Sequence, residues 1–309
     1  MSYNVHGMPW PFAVGRPKAL NEIGARLAKM RSAGDQPHLV LLQEAFTSDA
    51  KAIARKAGYR YAVTGPARDD RAADPENAEA RIFLRGASVL KGEADGTIED
   101  SGLMILSDYP VVDVKKMPYP RFACAGYDCL ANKGVLMVRV AVPGAKQPVA
   151  VFDTHLNSRR ESGVSTARAD TAYGWQAQRL REFVRANAPS DAPAILAGDF
   201  NIGHRPYRVA MINGGGGVLD GGADALRAAF AGNLQLENKA DAQAIVKHGK
   251  DWMFGRNGST TKLVLKGVSV PFGHEGDGTS LSDHFGYVVH YAVTEQAEPE
   301  AAGLPGTGR

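Results

Sequence analysis

Short apolar runs recur along the chain, each closed by a polar residue. Ser2-Tyr3-Asn4-Val5-His6-Gly7 reads as the second half of a strand, with its beginning expected upstream. Pro37 to Glu44 is a continuous buried strand ending in a carboxylate. Tyr59 to Val63 reads as an edge strand, and Leu103 to Ser107 and Pro110 to Val114 as two more. Lys133 to Val140 and Val149 to His155 pair across the turn signal Pro143-Gly144. Ile195-Leu196-Ala197-Gly198-Asp199-Phe200-Asn201 is a buried strand running into a glycine turn. Asp251 to Phe254, Thr261 to Val270 and Tyr287 to Val293 complete the strands. Helical spacing appears in two places. Leu20, Ile23, Leu27 and Met30 mark a helix over Arg16 to Ser32. Tyr173, Ala177, Leu180, Phe183 and Val184 mark another over Thr166 to Asn187. Ser48 to Ala57 and Ala223 to Ala231 predict shorter helices.

Between these elements, Arg68 to Glu79 reads as an exposed polar loop, and Ile82 to Leu90 as a strand or short insertion. Asn213-Gly214-Gly215-Gly216-Gly217 is a loop that opens no helix in the manner of a phosphate-binding turn. Strands dominate, and no repeat or linker interrupts them. The expectation is one α/β domain of two packed sheets over residues 1–293, then a disordered tail over 294–309 rich in acids, proline and glycine.

Composition changes this picture little. The 309 residues are 44% hydrophobic and 22% charged, an ordinary globular balance. A net charge of +3 is too small to argue for nucleic acid by itself. No run approaches the ~18 apolar residues of a membrane-spanning helix. The two cysteines, Cys124 and Cys129, exclude an all-cysteine zinc site and leave a local disulfide or two thiols open. With the interrupted first strand they lean towards a secreted or periplasmic protein, a cytoplasmic one being the alternative.

The candidate chemistry lies at strand ends: Asn4, Glu44, Asp100, His155, Asp199, Asn201, Asp251, Asp283 and His284. Alternation along an extended segment sets Asp199 and Asn201 on one face with Phe200 in the core. The competing account of that segment is a plain Asx turn. Converging sheets would gather these residues at one edge. Oxygen ligands suit a hard divalent cation, and Glu44, Asn4, Asp199 and Asn201 supply them. Two histidines beside carboxylates suit proton transfer, so the set fits phosphoester hydrolysis. No Gly-x-Ser-x-Gly elbow and no His-Glu-x-x-His motif is present.

Ser2-Tyr3-Asn4, Leu42-Gln43-Glu44, Asp153-Thr154-His155, Gly198-Asp199-Phe200-Asn201, Asp251-Trp252 and Ser282-Asp283-His284 follow the order of motifs in the endonuclease/exonuclease/phosphatase superfamily, which the chain resembles over residues 2–291. The resemblance implies a four-layer α/β/β/α sandwich of two mainly antiparallel sheets flanked by helices. It also implies a phosphodiesterase or phosphatase dependent on Mg²⁺, with Mn²⁺ or another divalent cation as alternatives. Carried over by motif, Glu44 is the main metal ligand, with Asn4 beside it. Asp199 and Asn201 hold the phosphate, the attacking water or a second metal, and Asp283 lies near the metal. His284 is the general base, oriented by Asp251. His155 is the second catalytic histidine.

Glu99 to Ser107 and Asn132-Lys133-Gly134-Val135-Leu136 are similar to stretches of bacterial and neutral sphingomyelinases, in which Asp100 would pair with His155. The expected substrate is therefore a phospholipid headgroup, sphingomyelin first. Residues His204 to Lys250 lack the aromatic hairpin of secreted sphingomyelinases. The loop Met8-Pro9-Trp10-Pro11-Phe12 either packs on the core or forms an apolar rim for peripheral membrane contact. The alternative is a nuclease whose Arg159, Arg160, Arg168 and Arg205 meet a phosphate backbone. The inositol polyphosphate phosphatase branch fits less well, because Leu196-Ala197 precede and Ile202-Gly203 follow the Asp199 turn. A monomer is expected.

Overall fold

Strand Val149–His155 is buried along its whole length, so both of its faces are covered. Val149 and Val151 enter one apolar cluster, while Ala150 and Phe152 enter another. This double coverage is what a sheet sandwiched between a second sheet and a helix layer requires. The computed structural model describes residues 1–72 and 77–295.

In chain order the elements are β1 (Ser2–Asn4), α1 (Arg16–Ala33), β2 (Leu39–Gln43), α2 (Ser48–Lys51), α3 (Ile53–Lys56), β3 (Tyr61–Thr64) and α4 (Ala78–Arg85). There follow β4 (Met104–Ser107), β5 (Val111–Pro118), β6 (Gly134–Val140), β7 (Val149–His155), α5 (Thr166–Asn187) and β8 (Ala194–Asp199). The last part holds α6 (Pro206–Asn213), β9 (Ala223–Asp224), α7 (Ala225–Ala231), β10 (Gln235–Leu236), α8 (Lys239–His248), β11 (Asp251–Arg256), β12 (Thr261–Phe272) and β13 (Gly286–Glu295).

A seven-stranded sheet has the order β10-β12-β13-β1-β2-β4-β3, and a six-stranded sheet the order β5-β6-β7-β8-β11-β9. Pairing is antiparallel except for β1–β2, β10–β12 and β7–β8. Leu41, Ile105 and Tyr287 of the first sheet meet Val138, Val151, Ala197 and Met253 of the second in the central cluster. Leu20, Ile23 and Leu27 seat α1 on the outer face of the first sheet. Tyr173, Ala177, Leu180 and Val184 seat α5 on the outer face of the second. The result is the four-layer α/β/β/α sandwich.

Several local expectations are corrected. Ile82 to Leu90 is not a strand, because its first residues close α4, which Asn77 caps by accepting the Ala80 N–H at 2.7 Å. The segment 204–250 holds three α-helices, two of which, α6 and α8, sequence periodicity did not predict. The helix expected over Ser48 to Ala57 is two single turns. Thr294 and Glu295 belong to β13 and not to a tail, since Glu295 pairs in register with Thr261 and accepts its hydroxyl at 2.6 Å. The remaining tail residues, and the middle of the predicted Arg68 to Glu79 loop, lie outside the described residues. Cys124 and Cys129 form a disulfide. Among the described residues, no helix is long and apolar enough to cross a membrane.

Candidate active site

Two of the three parallel pairs explain where the site forms. In β1–β2 and β7–β8, neighbouring strands end on the same side, so their last residues sit side by side. His155 lies in register with Asp199, and Asp199 with Asp251 of the antiparallel neighbour β11. His155 and Asp199 continue the inward-facing alternation of Val149, Val151 and of Ile195, Ala197, so they point between the sheets. From the facing sheet, β1 brings Asn4 and the end of β2 brings Glu44. The close approach of β7 and β8 needs Gly198. It sits at φ +146°, and a Cβ there would stand 2.0 Å from the Thr154 carbonyl oxygen.

Asn4 joins the halves of the site. Its Nδ2 donates to Glu44 Oε1 at 2.9 Å and to Asp199 Oδ2 at 3.1 Å, while its Oδ1 accepts the His6 N–H at 3.0 Å. Asn4 thus braces two carboxylates through Nδ2. Asp199 Oδ1 accepts the Asn201 N–H at 3.0 Å, and Asn201 Nδ2 donates to the Leu156 carbonyl at 3.0 Å. The strand ends at Asp199 and Asn201 turns to φ +47°, so an Asx turn, not strand alternation, brings the pair together. Phe200 is buried as expected. His6, Glu44 and Asn201 all hold positive φ, and strain of this kind in non-glycine residues persists where the surroundings impose it.

His284 Nδ1 pairs with Asp251 Oδ2 at 2.8 Å, and its Nε2 stands 3.6 Å from Asp199 Oδ2. Burial resists charging of this ring, but the Asp251 and Asp199 carboxylates outweigh it and lift His284 to about 10. His155 shows the opposite balance. Burial and the Lys133 ammonium push it down to about 3, against the attraction of Asp199. One histidine is therefore cationic and the other neutral in the protein without an added cation. Burial raises Glu44, opposed by the bond from Asn4.

Glu44, His155 and Asp199 place ligand atoms within 4.8 Å of one another, as do Asp199, Asp251 and His284. The donor set fits a hard divalent cation. The partners of Glu44 and Asp199 leave acceptor capacity on one half-buried and one buried carboxylate, and positive charge between them offsets their repulsion.

Not every expected residue joins the cluster. Asp100 does not pair with His155. Its carboxylate meets Lys51 at 2.7 Å and the Gly102 N–H at 2.8 Å, and both contacts hold it away from β7. Among the described residues, His155 Nδ1 has no hydrogen-bond partner. Asp283 belongs to neither ligand group and binds His6 Nδ1 at 2.7 Å, but its charge acts on both Glu44 and His284. Arg168 is taken by Glu93 at 2.6 Å and by the Phe83 carbonyl at 3.0 Å, so it is not available to a phosphate backbone. Trp10 and Phe12 are exposed, 81% and 49%, and do not pack on the core.

Sequence reasoning gave three supporting groups no role, although Lys133 lies in the stretch similar to sphingomyelinases. Lys133 Nζ stands 3.2 Å from His155 Nε2 and also meets Asp128. Lys250 immediately precedes Asp251 and feels the charge of Asp199. Arg208 is fully buried, binding Asp170 and the carbonyls of Asn157 and Asn201, each at 2.8 Å. A lone basic residue inside a helix carries no periodic signal, so nothing in the sequence distinguished Arg208.

The family model "Endonuclease/Exonuclease/phosphatase family" matches residues 1–284. The chain belongs to the endonuclease/exonuclease/phosphatase family. It is a phosphoester hydrolase. Human sphingomyelin phosphodiesterase 3 is 31% identical over 112 residues, a stretch covering 33% of this chain and only 17% of that protein. Sphingomyelinase C from Streptomyces griseocarneus superposes with a TM-score of 0.61 at 23% identity, covering 94% of this chain and 97% of that one. A Staphylococcus aureus beta toxin variant with bound magnesium ions gives a TM-score of 0.62 at 18% identity, covering 94% and 98%. These likenesses confirm the deoxyribonuclease-like sandwich of the family.

Proposed function

We propose that this hydrolase is a divalent-cation-dependent phosphodiesterase that releases the headgroup of a phospholipid, with sphingomyelin the first substrate and Mg²⁺ the first ion to test. The observation that carries the reading is the buried His284–Asp251 pair set beside the carboxylates of Asp199 and Glu44. Asp251 holds Nδ1–H of His284, fixing the tautomer that leaves Nε2 to take a proton from the attacking water. Asp199 orients that water. Asn201, pinned by Leu156 and Arg208, offers its amide to the phosphoryl oxygen that gains charge. Neutral His155, with Lys133 behind it, contacts the phosphate on the other side. A cation held by Glu44 and Asp199 would polarise the phosphoryl oxygen and offset the carboxylate charge that keeps His284 protonated.

Exposed Trp10, Phe12 and Val14, in the loop between Asn4 and α1, support contact with a lipid surface. The Cys124–Cys129 disulfide supports an oxidising compartment. The test is phosphocholine release from sphingomyelin vesicles with Mg²⁺ and with chelator, with cleavage of single- and double-stranded DNA measured in parallel. Release with Mg²⁺ alone supports the reading. Cleavage of DNA without phosphocholine release would replace it with the nuclease.

A further inference from the structure

A cavity of about 350 Å³ opens beside the catalytic cluster, with Asn201 in its wall. Three segments that carry catalytic residues close around it. The loop after β7 brings Arg159 and Arg160, the turn after β8 brings Arg205, and Lys250 stands just before β11. Four permanently cationic side chains thus line a space with one carboxylate in its wall, Glu161.

Little in the protein neutralises the three arginines, whereas Lys250 also feels the carboxylates of Asp199, Glu161, Asp283 and Asp251. Lys250 meets Glu161 only at 3.5 Å, and Glu161 is itself 62% exposed. Arg205 meets Asp170 at 3.5 Å, but Arg208 holds that carboxylate more closely, at 2.8 Å. The Nε of Arg205 is buried without a partner. Among the described residues, the guanidinium groups of Arg159 and Arg160 make no hydrogen bond or ion pair. Gathering like charges in one concavity is unfavourable unless an anion occupies it.

The shape narrows the choice of anion. A nucleic-acid backbone is met by cations spread in a row along successive phosphates. Here the cations converge on a single pocket, which suits one compact group. The pocket therefore favours a headgroup ending in a phosphate over phosphocholine, so sphingomyelin serves as the first test of phosphodiester cleavage itself and not as the preferred substrate. We propose that this cavity is a subsite for a second phosphate on the substrate, so that the preferred phosphodiester carries a terminal phosphomonoester on its headgroup. The proposal rests on the phosphodiesterase reading only for the position of the first phosphate.

Calorimetric titration of the Mg²⁺-loaded protein compares glycerol 1,3-bisphosphate with glycerol 3-phosphate. These are the headgroup products of phosphatidylglycerol phosphate and phosphatidylglycerol, which differ by the terminal phosphate alone. The bisphosphate is expected to bind about tenfold tighter, as one added set of charge-assisted bonds provides. In the Arg159→Gln/Arg160→Gln double variant that ratio is expected to approach one. The same ratio is read in turnover of the two lipids in vesicles. Equal binding of both ligands by the wild type overturns the proposal, as does a double variant that keeps the discrimination or loses both ligands alike. Tight binding of a short single-stranded DNA that depends on these arginines, without discrimination between the glycerol phosphates, would assign the cavity to nucleic acid instead. Because the titration needs no turnover, an absence of lipid hydrolysis would remove the phosphodiesterase reading and leave this test standing.

Discussion

Replacing Asp251 by Asn isolates the proton-transfer pair while preserving its shape. In the wild type the Asp251 carboxylate accepts Nδ1–H of His284 at 2.8 Å in a buried setting. A charge-assisted bond of this kind is worth roughly 1.5–3 kcal/mol. Neutralising the acceptor therefore weakens the base by roughly one to two pKa units, at 1.36 kcal/mol each. A second effect adds to it. An amide can turn its NH₂ towards Nδ1, which moves the ring proton to Nε2 and blocks proton uptake from water. Together these remove most of the benefit of a positioned base, commonly about 10²–10⁴-fold, or about 3–5 kcal/mol of barrier. Asp251→Asn is expected to lower kcat for phosphodiester cleavage by that range, with KM little changed. The assay is initial-rate kinetics at saturating Mg²⁺, with thermal melting to check the fold. A kcat within about threefold of wild type, at unchanged Mg²⁺ dependence, would refute the role given to the pair.

Other perturbations read the remaining parts of the site. Asn201→Ala is expected to reduce kcat far more than apparent substrate affinity, and an unchanged rate removes Asn201 from the mechanism. Arg208→Met leaves Asp170 with only the distant Arg205 and strips bonds from two buried carbonyls, so urea denaturation should show a loss of about 3–5 kcal/mol. In chelator, His284 holds a pKa of about 10 against an ordinary 6.5. Its folded-state value is the higher one, so its contribution to stability is complete below about pH 6.5 and is lost as pH rises through about 10. Melting temperatures from pH 6 to 10.5 should therefore fall more steeply for wild type than for His284→Gln, and parallel curves would contradict the assignment.

The fold was legible because burial leaves a periodic trace. The unbroken apolar runs before Glu44, His155 and Asp199 reflect strands covered on both faces, and the stripes on α1 and α5 reflect helices covered on one. Chain order of motifs then brought Glu44, His155, Asp199, Asp251 and His284 together, and the structure does gather these five. What the sequence hid depends on contacts between distant segments. Asp100 follows the expected motif, yet Lys51, 49 residues away, takes its carboxylate. The sequence showed Asn4 beside Glu44, but not that its amide spans Glu44 and Asp199 across two sheets. Arg159, Arg160 and Arg205 were legible only as candidate phosphate contacts, and their convergence with Lys250 on one cavity depends on three segments that meet only in the fold.

The central claim is that the converging strand ends form one metal-dependent hydrolytic centre, and locating the ion tests it directly. Crystals soaked in Mn²⁺ and measured for anomalous scattering should show a peak at bonding distance, roughly 2.0–2.3 Å, from carboxylate oxygens of Glu44 and Asp199. That peak should vanish in Glu44→Gln. A peak confined to Asp283 and His6, or none at all with activity retained in chelator, would contradict it.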